Sequence, residues 1–364
     1  MRAALLETPG KPLRVCDDVE IEAPGAGQVR VRVAHCGVCH SDLSIADGSF
    51  PAPLPIVLGH EAAGHVEAVG PGVTSLAPGD PVVLTPCPPC GACYWCVRDE
   101  ASLCVLSRGI QTSRLPDGRT GLSRGGETVY RGVNLAAFAE YVLVPASGAV
   151  KIPPEMPLDT ACVIGCAVQT GVGAALNTAR VEPGASVLVL GLGGIGLSVV
   201  QGARIAGAAR ILVSDPVPAR REAAAALGAT DRLDPSEDAA LQAHSLTEVG
   251  VDYAFECAGR GALVGTAVAA TRPGGTTVAV GAPPLGESIA LDPAAAFVVS
   301  GKKLLACVLG SVNSLRDIPR LVSLWQRGAL DLDALITARR PLDEIDAAMA
   351  DLAAGRGIRS VLSL

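Results

Sequence analysis

Four cysteines crowd one short stretch of the chain: Cys90-x-x-Cys93-x-x-Cys96, then Cys104. Thiolates at such spacing suit a tetrahedral Zn²⁺ with four sulfur ligands and no open position, which makes the site structural. Cys87 extends the ladder one step upstream, so Cys87, Cys90, Cys93 and Cys96 form a competing set. The chain carries 12 cysteines in all. No N-terminal stretch combines a charged start, an apolar core and a small-residue cleavage site, so the expected compartment is the cytoplasm. Thiols stay reduced there, and close spacing reads as metal binding before disulfide pairing.

Three further elements are dispersed: Cys39-His40-Ser41-Asp42, Gly59-His60-Glu61 and Gly165-Cys166. Singly, each is as well explained by a buried packing residue. Together they offer two thiolates and an imidazole, the ligands of a catalytic zinc that keeps its fourth position for water or substrate.

A third signal is Gly191-Leu-Gly193-Gly194-Ile195-Gly196, directly after the apolar run 186–190 and opening an Ala-rich helical stretch, 197–207. In this strand–turn–helix setting G-x-G-x-x-G reads as a dinucleotide fingerprint. Gly191 permits the tight turn, Gly193 lets a pyrophosphate approach the backbone, and Gly196 lets helix and strand pack closely. The helix start offers free N–H groups to the phosphates. Asp215 ends the next strand, where a carboxylate accepts from the ribose hydroxyls and repels a 2′-phosphate, favouring NAD over NADP.

The elements that must position these residues fall into segments. Up to about residue 150 the chain shows short β-like runs (29–33, 82–84) separated by Gly and Pro, a mainly β domain with long loops. From about residue 165 to 308, apolar strands at 186–190, 211–214, 253–256 and 277–280 alternate with helical stretches, the pattern of a parallel sheet. The segment 317–364 shows helical patterning at Ile318, Leu321, Val322 and Trp325, again at Ile345, Met349 and Leu352, and ends strand-like at 358–362. With 364 residues there is material for two domains. Hydrophobic residues make up 49% and charged ones 18%, and the net charge is −7. That balance describes a globular chain and disfavours nucleic acid or an anionic membrane as partner. The apolar runs are also too short to span a bilayer.

Along essentially its full length the chain resembles the zinc-dependent medium-chain alcohol dehydrogenases, of the liver-type and glutathione-dependent formaldehyde dehydrogenase branch. Cys39-His-Ser-Asp, Gly59-His-Glu-Ala-Ala-Gly64, the four-Cys loop, Gly165-Cys166 and Gly191–Gly196 occur in that family's order. The resemblance implies an α/β protein: a GroES-like catalytic domain at 1–167, a Rossmann NAD-binding domain at 168–308, and a segment 309–364 returning to the catalytic domain. It implies two zinc ions, one on Cys39, His60 and Cys166 and one on Cys90, Cys93, Cys96 and Cys104, with Glu61 as a transient ligand of the first. Asp42 then orients a ligand. His40 and Arg359 contact the cofactor phosphates, Arg220 and Arg260 are further cofactor contacts, and Thr170 packs near the nicotinamide. Ser41 takes the proton of an alcohol whose hydride passes to NAD.

Some positions depart from the family. The proton relay of many relatives ends at a His where this chain has Ser44, which does not titrate near neutrality. Pocket-lining positions hold Pro86, Gly132 and Ala282 in place of larger side chains, which suggests room for a bulky alcohol. Arg108 matches an Arg that holds a carboxylate of the thiol adduct in the formaldehyde-oxidising members, although the acidic partner those enzymes carry is missing from the Pro-rich stretch 51–55. The long loop from Cys104 to Phe138 resembles that of dimeric relatives, so a homodimer is expected.

Overall fold

The computed structural model describes residues 1–291 and 293–364. Its contacts divide the chain into two units, Met1–Cys166 with Asn313–Gly328 and Leu332–Leu364, and Ala167–Val312 with Ala329–Asp331.

The first unit is built on β-sheets. Strand Gln28–Gly37 is central to the largest, pairing with Glu61–Val69, Tyr141–Pro145 and Arg359–Ser363. Its sequence Val29-Arg30-Val31-Arg32-Val33 buries every valine and leaves both arginines more accessible, as a period of two requires. These valines pack with Ala3–Leu6, Ile56, Val57, Leu58 and Phe138 in one core. The C-terminal part of the chain joins this unit. Helix Ser314–Gln326 buries Ile318, Leu321 and Val322, and helix Ile345–Ala353 buries Ile345, Met349 and Leu352. Strand Arg359–Ser363 runs antiparallel to Gln28–Gly37, with Val361 opposite Gly37.

The second unit holds a six-stranded parallel sheet. Its order is Asp231–Arg232, Arg210–Ser214, Ser186–Leu190, Val251–Glu256, Thr271–Ala279 and Lys303–Ala306, so the chain order reads 3-2-1-4-5-6. That is the doubly wound Rossmann arrangement, whose ligand crevice lies where the order reverses, beyond Leu190. Val187, Leu188, Val189, Leu212, Val213, Ala254 and Phe255 are all fully buried, as expected where helices cover both faces. Strand Thr271–Ala279 begins six residues before the sequence suggests and runs through Pro273-Gly274-Gly275. The register with Val251–Glu256 shifts there, and such an irregularity accommodates Pro and Gly. Among the described residues no single helix is long and apolar enough to cross a membrane.

Candidate active site

Helix His40–Ala46 starts directly after strand Gln28–Gly37, with Cys39 as its cap residue. Asp42, fully buried in its first turn, organises the surroundings through both carboxylate oxygens. Oδ2 accepts the Cys39 backbone N–H (3.2 Å), while Oδ1 accepts the Gly59 N–H (2.8 Å) and pairs with His60 Nδ1 (3.0 Å). The last contact fixes the imidazole tautomer, with the proton on Nδ1 and the Nε2 lone pair free to act as a ligand. Gly59 turns the chain at φ +89°, and a side chain there would strike the backbone of Phe138. Cys166 follows the turn Cys162–Gly165, where Gly165 lies against the carbonyl of Leu84.

The ligand atoms of Cys39, His60 and Cys166 lie within 4.8 Å of one another, and all three residues are buried. His60 Nε2 has no hydrogen-bond partner. A buried imidazole nitrogen without a partner is costly, and a metal ion resolves it. The protonation balance agrees. Cys39 is held well below the usual thiol range by the Cys166 thiol, then by His60 and Arg359, against its own burial. Cys166 is pushed up by Cys39 and by burial, and His60 is raised by Asp42 and Cys39 against burial. Cys39 thus stands as a thiolate beside an imidazole and a second thiol, a donor set that a divalent cation fits. Three protein ligands leave a fourth position open.

Glu61 begins the strand that follows His60. Its carboxylate sits against Gly37, where a Cβ would come within 2.2 Å of Oε2, and pairs with Arg359 Nε at 3.1 Å. Arg359 is only 4% exposed and also donates to the Val38 carbonyl (2.7 Å). Its guanidinium is therefore turned inward, beside the Glu61 carboxylate and the Cys39 thiol. His40 is exposed at the start of its helix, and Ser41 next to it is half-buried.

The second cluster brings together Cys90, Cys93, Cys96 and Cys104, again within 4.8 Å. Backbone N–H groups of Cys93, Cys90 and Leu106 point at the sulfurs of Cys90 (3.3 Å), Cys104 (3.2 Å) and Cys104 (3.5 Å). Backbone N–H groups of Cys96 and Val105 lower Cys93 to about 6, and burial raises Cys104 to about 12. Cys87 stands outside this group. It is buried, its thiol is pushed up to about 11, and its side-chain neighbour is Ser107. The competing set that includes Cys87 is thereby excluded.

In the second unit the glycines divide their labour. A Cβ on Gly191 (φ +88°) would meet Ala258, and one on Gly196 would lie 1.8 Å from the Gly191 carbonyl, whereas one on Gly193 meets nothing within 4 Å. The first and last are required by packing, and the middle one leaves an open cradle. Helix Gly194–Ala206 starts there with Gly193 as its cap, and Ile195 is half-buried in its first turn. Asp215 is buried, and its carboxylate accepts from Leu192 N–H (2.7 Å) and Val217 N–H (2.8 Å), with Arg220 at 3.9 Å. It thus braces the glycine turn itself. Arg260 is exposed at the cap of helix Gly261–Ala270, Ala282 is exposed, and Thr170 is buried in helix Ala167–Gly173.

Among the expected pocket positions, Pro86 is buried and its carbonyl accepts from Asn134 (2.8 Å). Gly132 is corrected as a widened pocket wall. A Cβ there would lie 2.7–2.8 Å from Leu58 and the Val57 carbonyl, so the missing side chain is demanded by packing. Arg131 and Asn134, either side of it, escape sequence reasoning. The only local hint is that Asn tolerates the left-handed conformation found at 134 (φ +68°).

Residues 25–154 match the alcohol dehydrogenase GroES-like domain, and residues 194–326 match the zinc-binding dehydrogenase domain. The chain is 39% identical to an S-(hydroxymethyl)glutathione dehydrogenase of Synechocystis sp. and 38% identical to one of Escherichia coli, with 99% of each chain covered. Among solved structures it superposes with TM-score 0.94 on an alcohol dehydrogenase zinc-binding domain protein from Burkholderia ambifaria (37% identity, 100% of this chain and 98% of that one). It does so equally well on benzyl alcohol dehydrogenase from Acinetobacter calcoaceticus (32% identity, 100% and 99%). The chain belongs to the zinc-dependent medium-chain alcohol dehydrogenase family of oxidoreductases.

Proposed function

We propose that the protein is an NAD-linked alcohol dehydrogenase that interconverts a primary or secondary alcohol, of the bulky, benzyl type, with its aldehyde or ketone. The observation that carries this reading is the three-ligand cradle of Cys39, His60 and Cys166 with His60 Nε2 unpaired. A zinc ion there supplies Lewis acidity toward the substrate oxygen, and a nicotinamide supplies the hydride acceptor. Asp42 holds His60 in the tautomer that ligates, and Arg359 holds the Glu61 carboxylate beside the ligands. Ser41 accepts the alcohol proton. Ser44 cannot carry it onward, so it leaves through His40 or water. Gly193, Gly194 and Ile195 receive the pyrophosphate, Asp215 with Arg220 the ribose, and Thr170 and Arg260 complete the cofactor contacts. The similarity to a benzyl alcohol dehydrogenase supports the substrate class.

A second reading, oxidation of a thiol–formaldehyde adduct, is favoured by Arg108. It is exposed, without an ion-pair partner among the described residues, and shares its chain with the similarity to S-(hydroxymethyl)glutathione dehydrogenases. We place the enzyme in the cytoplasm as a homodimer. The edge strand Lys303–Ala306 and the exposed Val298 and Val299, which precede it in the chain, support the dimer.

The test is turnover of the two-zinc enzyme with NAD⁺ on ethanol, benzyl alcohol, cinnamyl alcohol, and formaldehyde with and without glutathione. The first reading expects kcat/KM for benzyl alcohol at least ~10-fold above ethanol, since apolar contacts in a pocket discriminate by that order. Turnover of formaldehyde only in the presence of glutathione would establish the second reading instead.

A further inference from the structure

We propose that Asn134 is a positioning residue that clasps the base of the four-cysteine lobe and thereby sets how firmly the lobe keeps its zinc. The proposal rests on the family's zinc chemistry and not on the substrate assignment.

The lobe has little to hold it shut besides metal. Tyr94, Val97 and Leu103 are exposed, so no apolar core closes it. Its two ends are instead joined through one side chain. The Nδ2 group of Asn134 donates to the carbonyl of Pro86 (2.8 Å), just before the lobe, and to that of Leu106 (3.1 Å), just after Cys104. The carboxamide is buried, and Gly109 lies against its oxygen, where a Cβ would come within 1.8 Å of Oδ1.

The backbone that aims this carboxamide is strained. Val133, Asn134 and Ala136 all have positive φ (46°, 68° and 65°), which is unfavourable above all for a β-branched valine. Arg131 holds the segment in that shape. Its fully buried guanidinium donates to the carbonyls of Thr120 (3.3 Å), Asn134 (3.2 Å) and Leu143 (2.6 Å), and Gly132 is pressed on Leu58. Strain kept in place by a buried cation and tight packing points to a purpose for the conformation. The double hydrogen bond across the lobe base is the purpose the geometry offers.

Cys104 lies two residues from Leu106, so parting of the base separates its sulfur from the other three. Loss of two hydrogen bonds, one of which leaves the buried Pro86 carbonyl unmet, corresponds to a roughly tenfold or greater effect on an opening equilibrium. The test measures zinc release from the holoenzyme to a metallochromic chelator, with alkylation of Cys90–Cys104 peptides reporting which ion has left. Asn134→Gly keeps the left-handed backbone without strain and removes only the clasp. Asn134→Asp keeps the size of the side chain and its tolerance of the left-handed backbone but has no N–H to offer the two carbonyls, and decides the matter should Asn134→Gly not fold. The expected result is release of the lobe zinc about tenfold faster or more, with the other zinc unchanged. Wild-type release rates in folded variants, or equal acceleration of both ions, would overturn the proposal.

Discussion

Asp42 offers a sharp perturbation because it serves three donors from a site with no solvent contact. In Asp42→Asn the size is conserved, but one oxygen becomes an N–H₂ that must face a donor: the Cys39 N–H, or the Gly59 N–H and His60 Nδ1. One unmet buried donor costs about 1–3 kcal/mol. The larger consequence falls on the metal, since His60 loses the negative charge that strengthens it as a ligand. Changes to such outer partners cost about 10–100-fold in metal affinity, or roughly 1.4–2.7 kcal/mol. The assay dialyses the two-zinc protein against graded free-chelator concentrations and counts zinc per chain. One zinc should leave Asp42→Asn at ~10–100-fold lower chelator strength than wild type, while the other, guarded by Cys90, Cys93, Cys96 and Cys104, leaves at the wild-type level. Retention of both ions as in wild type, or their joint loss, refutes the reasoning.

Three further outcomes follow from the same geometry. Ser44→His should add an ionisable group near neutrality to the pH profile of alcohol oxidation, and an unaltered profile would remove the relay argument. Asp215→Ser should raise the NADP-to-NAD ratio of kcat/KM by about 10-fold or more, by removing the charge that repels a 2′-phosphate; because Asp215 also braces Leu192 and Val217, a loss of melting temperature should accompany it. In protein stripped of zinc, Cys93, lowered to about 6, is mostly thiolate at pH 7 whereas Cys104, raised to about 12, is not. Iodoacetamide should therefore label Cys93 before Cys104, and mass spectrometry of the peptides reads the order.

The parts of this protein legible in the sequence are those where chemistry restricts the residue type. Thiolates and an imidazole mark the two side-chain clusters that the fold brings together, and the strand–glycine–helix order marks the turn after Leu190. What stayed hidden depends on partners distant in the chain. Asn134 meets carbonyls 48 and 28 residues away, and nothing local marks it as a clasp. Gly132 looks like absent pocket wall until Leu58 and Val57 are seen to require the absence. Arg359 carries no sign that it turns inward, because its partners Glu61 and Val38 reach it only through pairing of the last strand with Gln28–Gly37. The choice between Cys87 and Cys104 as fourth ligand was likewise a matter of folding, since both lie at plausible spacing.

The central claim, that Cys39, His60 and Cys166 serve hydride transfer between an alcohol and NAD, is tested most directly with benzyl alcohol in which both hydrogens on C1 are deuterium. The account predicts that the zinc-loaded enzyme moves deuterium from that carbon to the nicotinamide ring without exchange with water, and that Cys166→Ser, still folded, does not. NADH formed without deuterium, or undiminished transfer by Cys166→Ser, would contradict it.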